Sequence, residues 1–440
     1  MNTSTQAQVI ITPLRAGLPS AGGALEVMVR VQAPAQPAGA EAPPRSPLRL
    51  ALVVDRSGSM DGAPLREALR CVNHLVGCLQ PTDQVAVVLY DHDVQVPVPL
   101  QPAALPDAIR AALAGVQSGG NTALFDGWQA GAQQLGSGLA GAVSRVLLLS
   151  DGQANHGLTE VDAIQKHCAD WLGKGVSTTT VGLGRHFNEE LMVGMARAGG
   201  GQNYYGETAE DLFDGFAEEL ALLEALHLRQ LRIKLVPAPG VIAEPLGLVQ
   251  PDADGLVRLP DLAWGAEAWL LVRLHVPAQA TGGTATLLGA SLQAQDKQTH
   301  AVSLSAAPLS LPAVDAAAWA TLPVDETVAQ RLKEVEFAEA SARARAMVQE
   351  GKIEAARAHL RHMEASFAGH PWMSSKLERL KALLDRDERL AAKEMLYASR
   401  KLSTRLASVY EPAYNADETD ATAIPAFLRR KAEEGQGRKA

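Results

Sequence analysis

From residue 48 to residue 225 the chain alternates continuous apolar runs with segments of helical period. The apolar runs are LRLALVVD, QVAVVLYD, SRVLLLSDG and VSTTTVGLG; APLREALRCVNHLVGCL, LPDAIRAALAGV, TALFDGWQAGAQQL and EVDAIQKHCADWLGKG carry the helical period. A strand that is apolar along its whole length must be buried on both faces, and an intervening helix lets successive strands run parallel. The pattern therefore predicts a doubly wound α/β unit, a parallel sheet with helices on both sides. Ligands of such sheets bind beyond the carboxyl ends of the strands. Asp55 and Asp151 each close an apolar run, so both fall on that rim.

The flanking segments have another texture. Residues 1–33 alternate apolar and polar positions, as in ALEVMVRVQ, and read as strands; residues 34–47 are a linker rich in proline and alanine. Residues 226–312 return to period two between Gly, Pro and Asp turns, as in LRIKLVPAPG and AWLLVRLHVPA, and predict an antiparallel β-sandwich. The N-terminal strands have no neighbours of their own kind, so they are expected to join that sandwich and make residues 48–225 an insertion within it. Residues 323–409, dominated by Ala, Glu, Arg and Leu, predict an α-helical region broken at Gly351. Residues 410–440 read as a flexible tail. Several domains are expected of 440 residues, because a single core stops growing near roughly 250 residues.

A formal charge of −9 argues against broad nucleic-acid binding, which needs a basic face to displace counterions. The N-terminal stretch MNTSTQAQVIITPLRAGLPS lacks the basic and long apolar parts of a secretory leader, and no run reaches the ~18 apolar residues of a transmembrane segment. Cys71, Cys78 and Cys168 are odd in number and show no C-x-x-C spacing. Buried free thiols in a reducing compartment are the expectation, and the cytoplasm the expected location.

The rim carries the chemistry. D-x-S-x-S at Asp55, Ser57 and Ser59 supplies hard oxygen donors, which suit a cation such as Mg²⁺ that takes few protein ligands and keeps several waters. Thr122 lies in the glycine-rich loop SGGNTALFDG, and Asp151 in LLLSDGQAN. Each piece alone has a plainer reading: the serines could cap a helix, and Asp-Gly is an ordinary turn. Together the five residues resemble the metal-ion-dependent adhesion site of von Willebrand factor type A domains, and the resemblance spans about residues 48–225. It implies that Ser57 and Ser59 bind Mg²⁺ directly, that Thr122 does so in the ligand-competent state, and that Asp55 and Asp151 act mainly through water. Mn²⁺ and Ca²⁺ are alternative ions. An Asp or Glu from a protein partner would complete the coordination, because two nearby carboxylates leave the ion residual positive charge. Asp61, Asp91, Asp93 and Asp126 read as solvated loop or helix-cap residues, and His92 and His156 as surface residues near the rim.

The function expected from this pattern is a metal-dependent protein-binding scaffold or adaptor. Two alternatives stand beside it: an accessory subunit of a MoxR-type or chelatase-type AAA+ ATPase, and a membrane-associated or secreted adhesin. Catalysis is not expected. A haloacid dehalogenase-type phosphatase needs a second carboxylate where Ser57 stands, and neither G-x-x-x-x-G-K-[ST] nor G-x-S-x-G occurs. The arrangement of parts is broadly similar to inter-alpha-trypsin inhibitor heavy chains. In the tail, Ile424, Phe427 and Leu428 would form one stripe of a short helix begun by Pro425, with Arg429 and Arg430 beside it. The words IPAFLRR resemble the C-terminal peptide of the bacterial division protein FtsZ, which implies a second protein partner; docking on the chain's own helical region is the alternative.

Overall fold

The alternating N-terminal segment forms β1 (Gln8–Pro13), a short β2 (Leu18–Pro19) and β3 (Gly23–Gln32). The computed structural model describes residues 6–36, 45–151, 154–183, 188–206, 209–403 and 407–408. Part of the linker and the tail segment with Ile424, Pro425, Phe427, Leu428, Arg429 and Arg430 thus lie outside the described residues. The chain separates into two compact units, one of Met1–Ala42, Leu226–Asp296 and His300–Ala440, the other of Pro43–Ala225 and Lys297–Thr299.

The second unit is the α/β part. In chain order it contains β4 (Leu48–Asp55), α1 (Ala63–Cys78), β5 (Gln84–Tyr90), β6 (Val94–Pro102), α2 (Pro106–Ala112) and α3 (Leu124–Leu135). Next come β7 (Val143–Ser150), α4 (Val161–Gly173), β8 (Val176–Leu183), α5 (Glu189–Ala198), β9 (Gly200–Gly206) and α6 (Ala209–Glu224). The sheet order is β6-β5-β4-β7-β8-β9. Every residue of β7 and β8 is buried, and every residue of β4 but Arg49, as two covered faces require. The sheet is mixed rather than wholly parallel, because β6 pairs antiparallel with β5. Its sequence, VQVPVPLQP, tolerates prolines because β6 is an edge strand and donates few ladder hydrogen bonds. Helix α3 packs on β4, β5 and β7, and at Gly127 a Cβ would stand 2.4 Å from the Tyr90 ring, so only glycine permits that approach.

Buried ionic groups interrupt the apolar pattern. Arg145 on β7 pairs with Glu219 on α6, whose carboxylate also accepts from Thr179 Oγ1 (2.8 Å) and Tyr204 OH (3.0 Å). Asp83 is fully buried and accepts from Arg45 Nη1 (2.8 Å) and Nη2 (2.7 Å) and from the amides of Leu48 and Gln80 (2.8 Å each). It thereby pins the first residue of β4. Of the cysteines, Cys71 and Cys168 are buried as expected, whereas Cys78, in the last turn of α1, is exposed.

The other unit continues with β10 (Leu226–Pro237), β11 (Ile242–Pro245), β12 (Leu256–Arg258), β13 (Leu262–Ala263), β14 (Ala266–Val276), β15 (Thr284–Gln295), β16 (Ala301–Ser305) and β17 (Leu309–Val314). These strands divide between two sheets. In one, β1, β3, β14 and β11 lie in that order, and β3 pairs antiparallel with β14 with Val29 opposite Leu270. In the other, the order is β12-β10-β15-β17-β2. Helices α7 (Ala316–Thr321), α8 (Glu326–Gln349), α9 (Ile353–Phe367), α10 (Pro371–Leu384) and α11 (Glu388–Ser403) follow. One face of the first sheet, with Met28, Trp269 and Leu271, packs on Val328 and Val335 of α8, so a helix rather than a second sheet covers it. Each of α8 to α11 packs on the next and α11 returns along α8, around Phe337, Leu360, Leu377 and Met395. The helical stretch ends at Ser403, and β18 (Ala407–Ser408) pairs with Ala266 and Glu267 of β14. Among the described residues no helix is long and apolar enough to cross a membrane.

The Asp83 cluster yields a stability prediction. Burial alone would raise this carboxyl, but the hydrogen bonds from Arg45, Leu48 and Gln80 outweigh it and hold Asp83 below its ordinary value. Asp83→Ala removes the acceptor of the Leu48 and Gln80 amides and one of the two carboxylates paired with Arg45, Glu224 at 2.9 Å being the other, and should lower the unfolding free energy by about 1–3 kcal/mol. Because the folded-state value is depressed, this contribution is complete above about pH 4 and is lost as pH falls through the folded-state value. Urea unfolding of wild type and variant at pH 7 and pH 3 checks it. Equal midpoints at pH 7 would contradict the assignment.

Candidate metal centre

The buried strand β4 ends on Asp55, whose side chain is fully buried. The next residues turn through a single 3-10 turn, Gly58–Met60, which Ser57 precedes without capping it by side chain; Gly62, not a serine, precedes α1. Neither serine therefore serves as a helix cap. Their hydroxyl oxygens stand 3.2 Å apart, with Ser57 buried and Ser59 exposed. Neighbouring ligands on an octahedral ion with bonds of about 2.1 Å are separated by about 3 Å, so the two hydroxyls fit adjacent positions on Mg²⁺.

Asp55 is held by neutral donors. One carboxylate oxygen accepts the Ser57 amide at 2.9 Å; the other accepts Ser150 Oγ at 2.6 Å and Tyr90 OH at 3.2 Å. Burial pushes the Asp55 carboxyl up to about 6; the bonds from Ser150 and Ser57 hold it down and the Asp151 charge raises it. Tyr90, fully buried beneath it, is driven well above its ordinary value by burial and by the Asp55 charge.

Thr122 belongs to the loop before α3, and that loop is tied to its neighbours on the rim. Its Gly119 amide donates to the Arg56 carbonyl (2.9 Å), and its Gly120 carbonyl accepts the Gly58 amide (3.1 Å). Gly120 has a φ of +75°, and a Cβ there would lie 2.1 Å from His92 Nδ1, so this position requires glycine on two grounds. On the other side, the Thr122 amide donates to Asn155 Oδ1 at 2.8 Å, and the Thr122 carbonyl accepts the amides of Asn155 (3.1 Å) and His156 (3.2 Å). Thr122 is buried. Asp151, directly after β7, is also buried, and its carbonyl accepts the Asn188 amide at 3.0 Å. The structure thus carries Asp55, the last residue of β4, and Ser57, Ser59, Thr122 and Asp151, on the loops beyond, at one end of the sheet, as parallel β4 and β7 demand.

A second acidic group lies in the turn after β5, where ligand atoms of Asp91, His92 and Asp93 fall within 4.8 Å of one another. Asp91 is not the solvated residue expected from sequence: it is buried and pairs with Arg56 at 3.0 Å. Its Oδ1 accepts the Asp93 amide (2.8 Å) and faces His92 Nδ1 (3.2 Å). The cluster already has a cation in Arg56. Asp61, Asp93, Asp126 and His156 are exposed, as expected.

Comparison with known proteins identifies the fold. The von Willebrand factor type A domain model matches residues 50–218. Those residues form a von Willebrand factor type A domain. Over a longer stretch, an uncharacterised protein of Synechocystis sp. is 28% identical across 280 residues, which cover 61% of this chain and 66% of that protein. Inter-alpha-trypsin inhibitor heavy chain H3 of Homo sapiens is 27% identical across 190 residues, 40% of this chain but only 21% of its own length. A solved von Willebrand factor type A protein from Catenulispora acidiphila shares the fold, with a TM-score of 0.68 at 15% identity over 90% of this chain and 98% of that one.

Within the type A domain, sequence reasoning overlooked Tyr90, Ser150 and Asn155. Tyr90 and Ser150 each end an apolar run with a hydroxyl, a signal that sits in QVAVVLY and VSRVLLLS. At pH 8, Ser150→Ala should lower unfolding free energy by about 1.5–3 kcal/mol, the worth of a buried hydrogen bond to a charge. Tyr90→Phe, whose bond is longer, should cost less. Chemical denaturation of both variants checks this, and a loss below about 0.5 kcal/mol for Ser150→Ala would show that the bond does not matter.

Proposed function

We propose that the chain is a metal-dependent protein-binding module, with Mg²⁺ held at the rim of its type A domain. The observation that carries this reading is the pair of Ser57 and Ser59 hydroxyls, 3.2 Å apart beside a buried carboxylate that has only neutral partners. Ser57, Ser59 and Thr122 would hold the ion directly, and Asp55 and Asp151 through water. All five offer oxygen, the donor set of Mg²⁺, Mn²⁺ or Ca²⁺ rather than of softer ions. When bound, the ion supplies a positive centre with an open position that attracts a carboxylate. Domains of this type commonly mediate protein–protein interaction.

The chain's own residues shape what reaches that centre. Ser59, Asn121, Asn155 and His156, all polar, are exposed on the loops of that rim, where an Asp or Glu from a partner would approach. Arg56 is tied to Asp91, which keeps a competing cation away from the incoming carboxylate. The role is recognition, with no bond made or broken.

Titration calorimetry with MgCl₂ tests the metal. Wild type should bind one ion, and Ser57→Ala should lose the heat. An immobilised chain should then retain partner proteins in Mg²⁺, release them in EDTA, and fail to retain them as Ser57→Ala. Equal ion binding by the two chains would sink the site; retention of the same proteins in EDTA would sink the metal-dependent role.

A further inference from the structure

Thr122 lies in a glycine-rich loop: it follows Ser118, Gly119, Gly120 and Asn121, and the next helix starts at Leu124. Both polar groups of its peptide are nevertheless satisfied from one segment, the loop that follows Asp151. Two of the three bonds come from backbone amides, of Asn155 and His156, which any residue would supply. The third comes from a side chain, Asn155 Oδ1, which accepts the Thr122 amide at 2.8 Å. Asn155 is exposed, so no packing demand explains an amide side chain there. Without it the Thr122 amide, part of a buried residue, would lose its acceptor.

We infer that Asn155 is a positioning residue for the metal centre: through its side chain it holds the Thr122 peptide, and with it the Thr122 hydroxyl, in place. This inference rests on the metal-binding reading above. Its physical content is that a flexible ligand costs affinity through the ordering it needs on binding, and a hydrogen bond already made in the ion-free protein removes part of that cost. Asn155 touches the ion at no point and acts through Thr122.

A double-mutant cycle, read by MnCl₂ titration calorimetry, tests it. Asn155→Ala should weaken Mn²⁺ binding about tenfold or more, the usual effect of losing an outer partner of a ligand. In a Thr122→Ala background the same change should have no further effect. Amide hydrogen exchange on the ion-free protein gives a second readout, with faster exchange at Thr122 in Asn155→Ala and wild-type exchange in Asn155→Asp, which keeps the acceptor. If Asn155→Ala does not fold, Asn155→Ser, whose oxygen is one bond too short, replaces it in the cycle. Wild-type affinity in the single variant, or an equal loss in both backgrounds, would overturn the inference. A wild-type chain that binds no Mn²⁺ would instead overturn the metal-binding reading, and the positioning role with it.

Discussion

Asp55 is a carboxylate at the end of a buried strand, withdrawn from water and held by an amide and two hydroxyls. That single arrangement organises the rim. It requires Tyr90 to bring its hydroxyl from β5 and Ser150 to bring another from β7, so the two strands flanking β4 must end at the same level as Asp55. The registers comply: Asp55 lies opposite Tyr90, and Val54 opposite Leu149. It also leaves a negative charge in a place where burial disfavours it, with no positive side chain among its hydrogen-bond partners. A cation at the adjacent hydroxyls of Ser57 and Ser59 would supply the missing charge.

The loops around Asp55 are stitched together by backbone bonds rather than by packing. Gly119 and Gly120 reach the segment of Ser57, Ala123 donates to the Asp91 carbonyl at 2.7 Å, and Thr122 is bonded to Asn155 and His156. Loops that face solvent cannot be fixed by apolar burial, and hydrogen bonds between them are the remaining means. This is why a glycine with positive φ at residue 120 and an asparagine at residue 155 matter here more than their size suggests.

Much of this was legible in the sequence, for a physical reason. Fully buried parallel strands need unbroken apolar runs, so β4, β5, β7 and β8 stand out, and residues that end such runs fall at one rim by geometry alone. Strand β6 was less visible because Pro97 and Pro99 argue against a strand until its edge position is known. Arg145 breaks the apolar run of β7, and the carboxylate that pairs with it, Glu219, comes 74 residues later. The texture of residues 1–33 does show that they join the later strands, as β3 joins β14, but not the register, with Trp269 opposite Arg30, nor the helix that covers Met28 and Leu271. Such long-range contacts leave no local signature. Asn155 was missed because its partner is a backbone amide, which no residue type announces.

The proposed role stands on a divalent ion held between Ser57 and Ser59 at the end of β4. Anomalous diffraction from crystals grown with MnCl₂ tests it most directly. A manganese peak is expected in contact with both hydroxyl oxygens, beside Asp55 and Asp151. A strong peak at Asp91, His92 and Asp93 with none at the serines would contradict it.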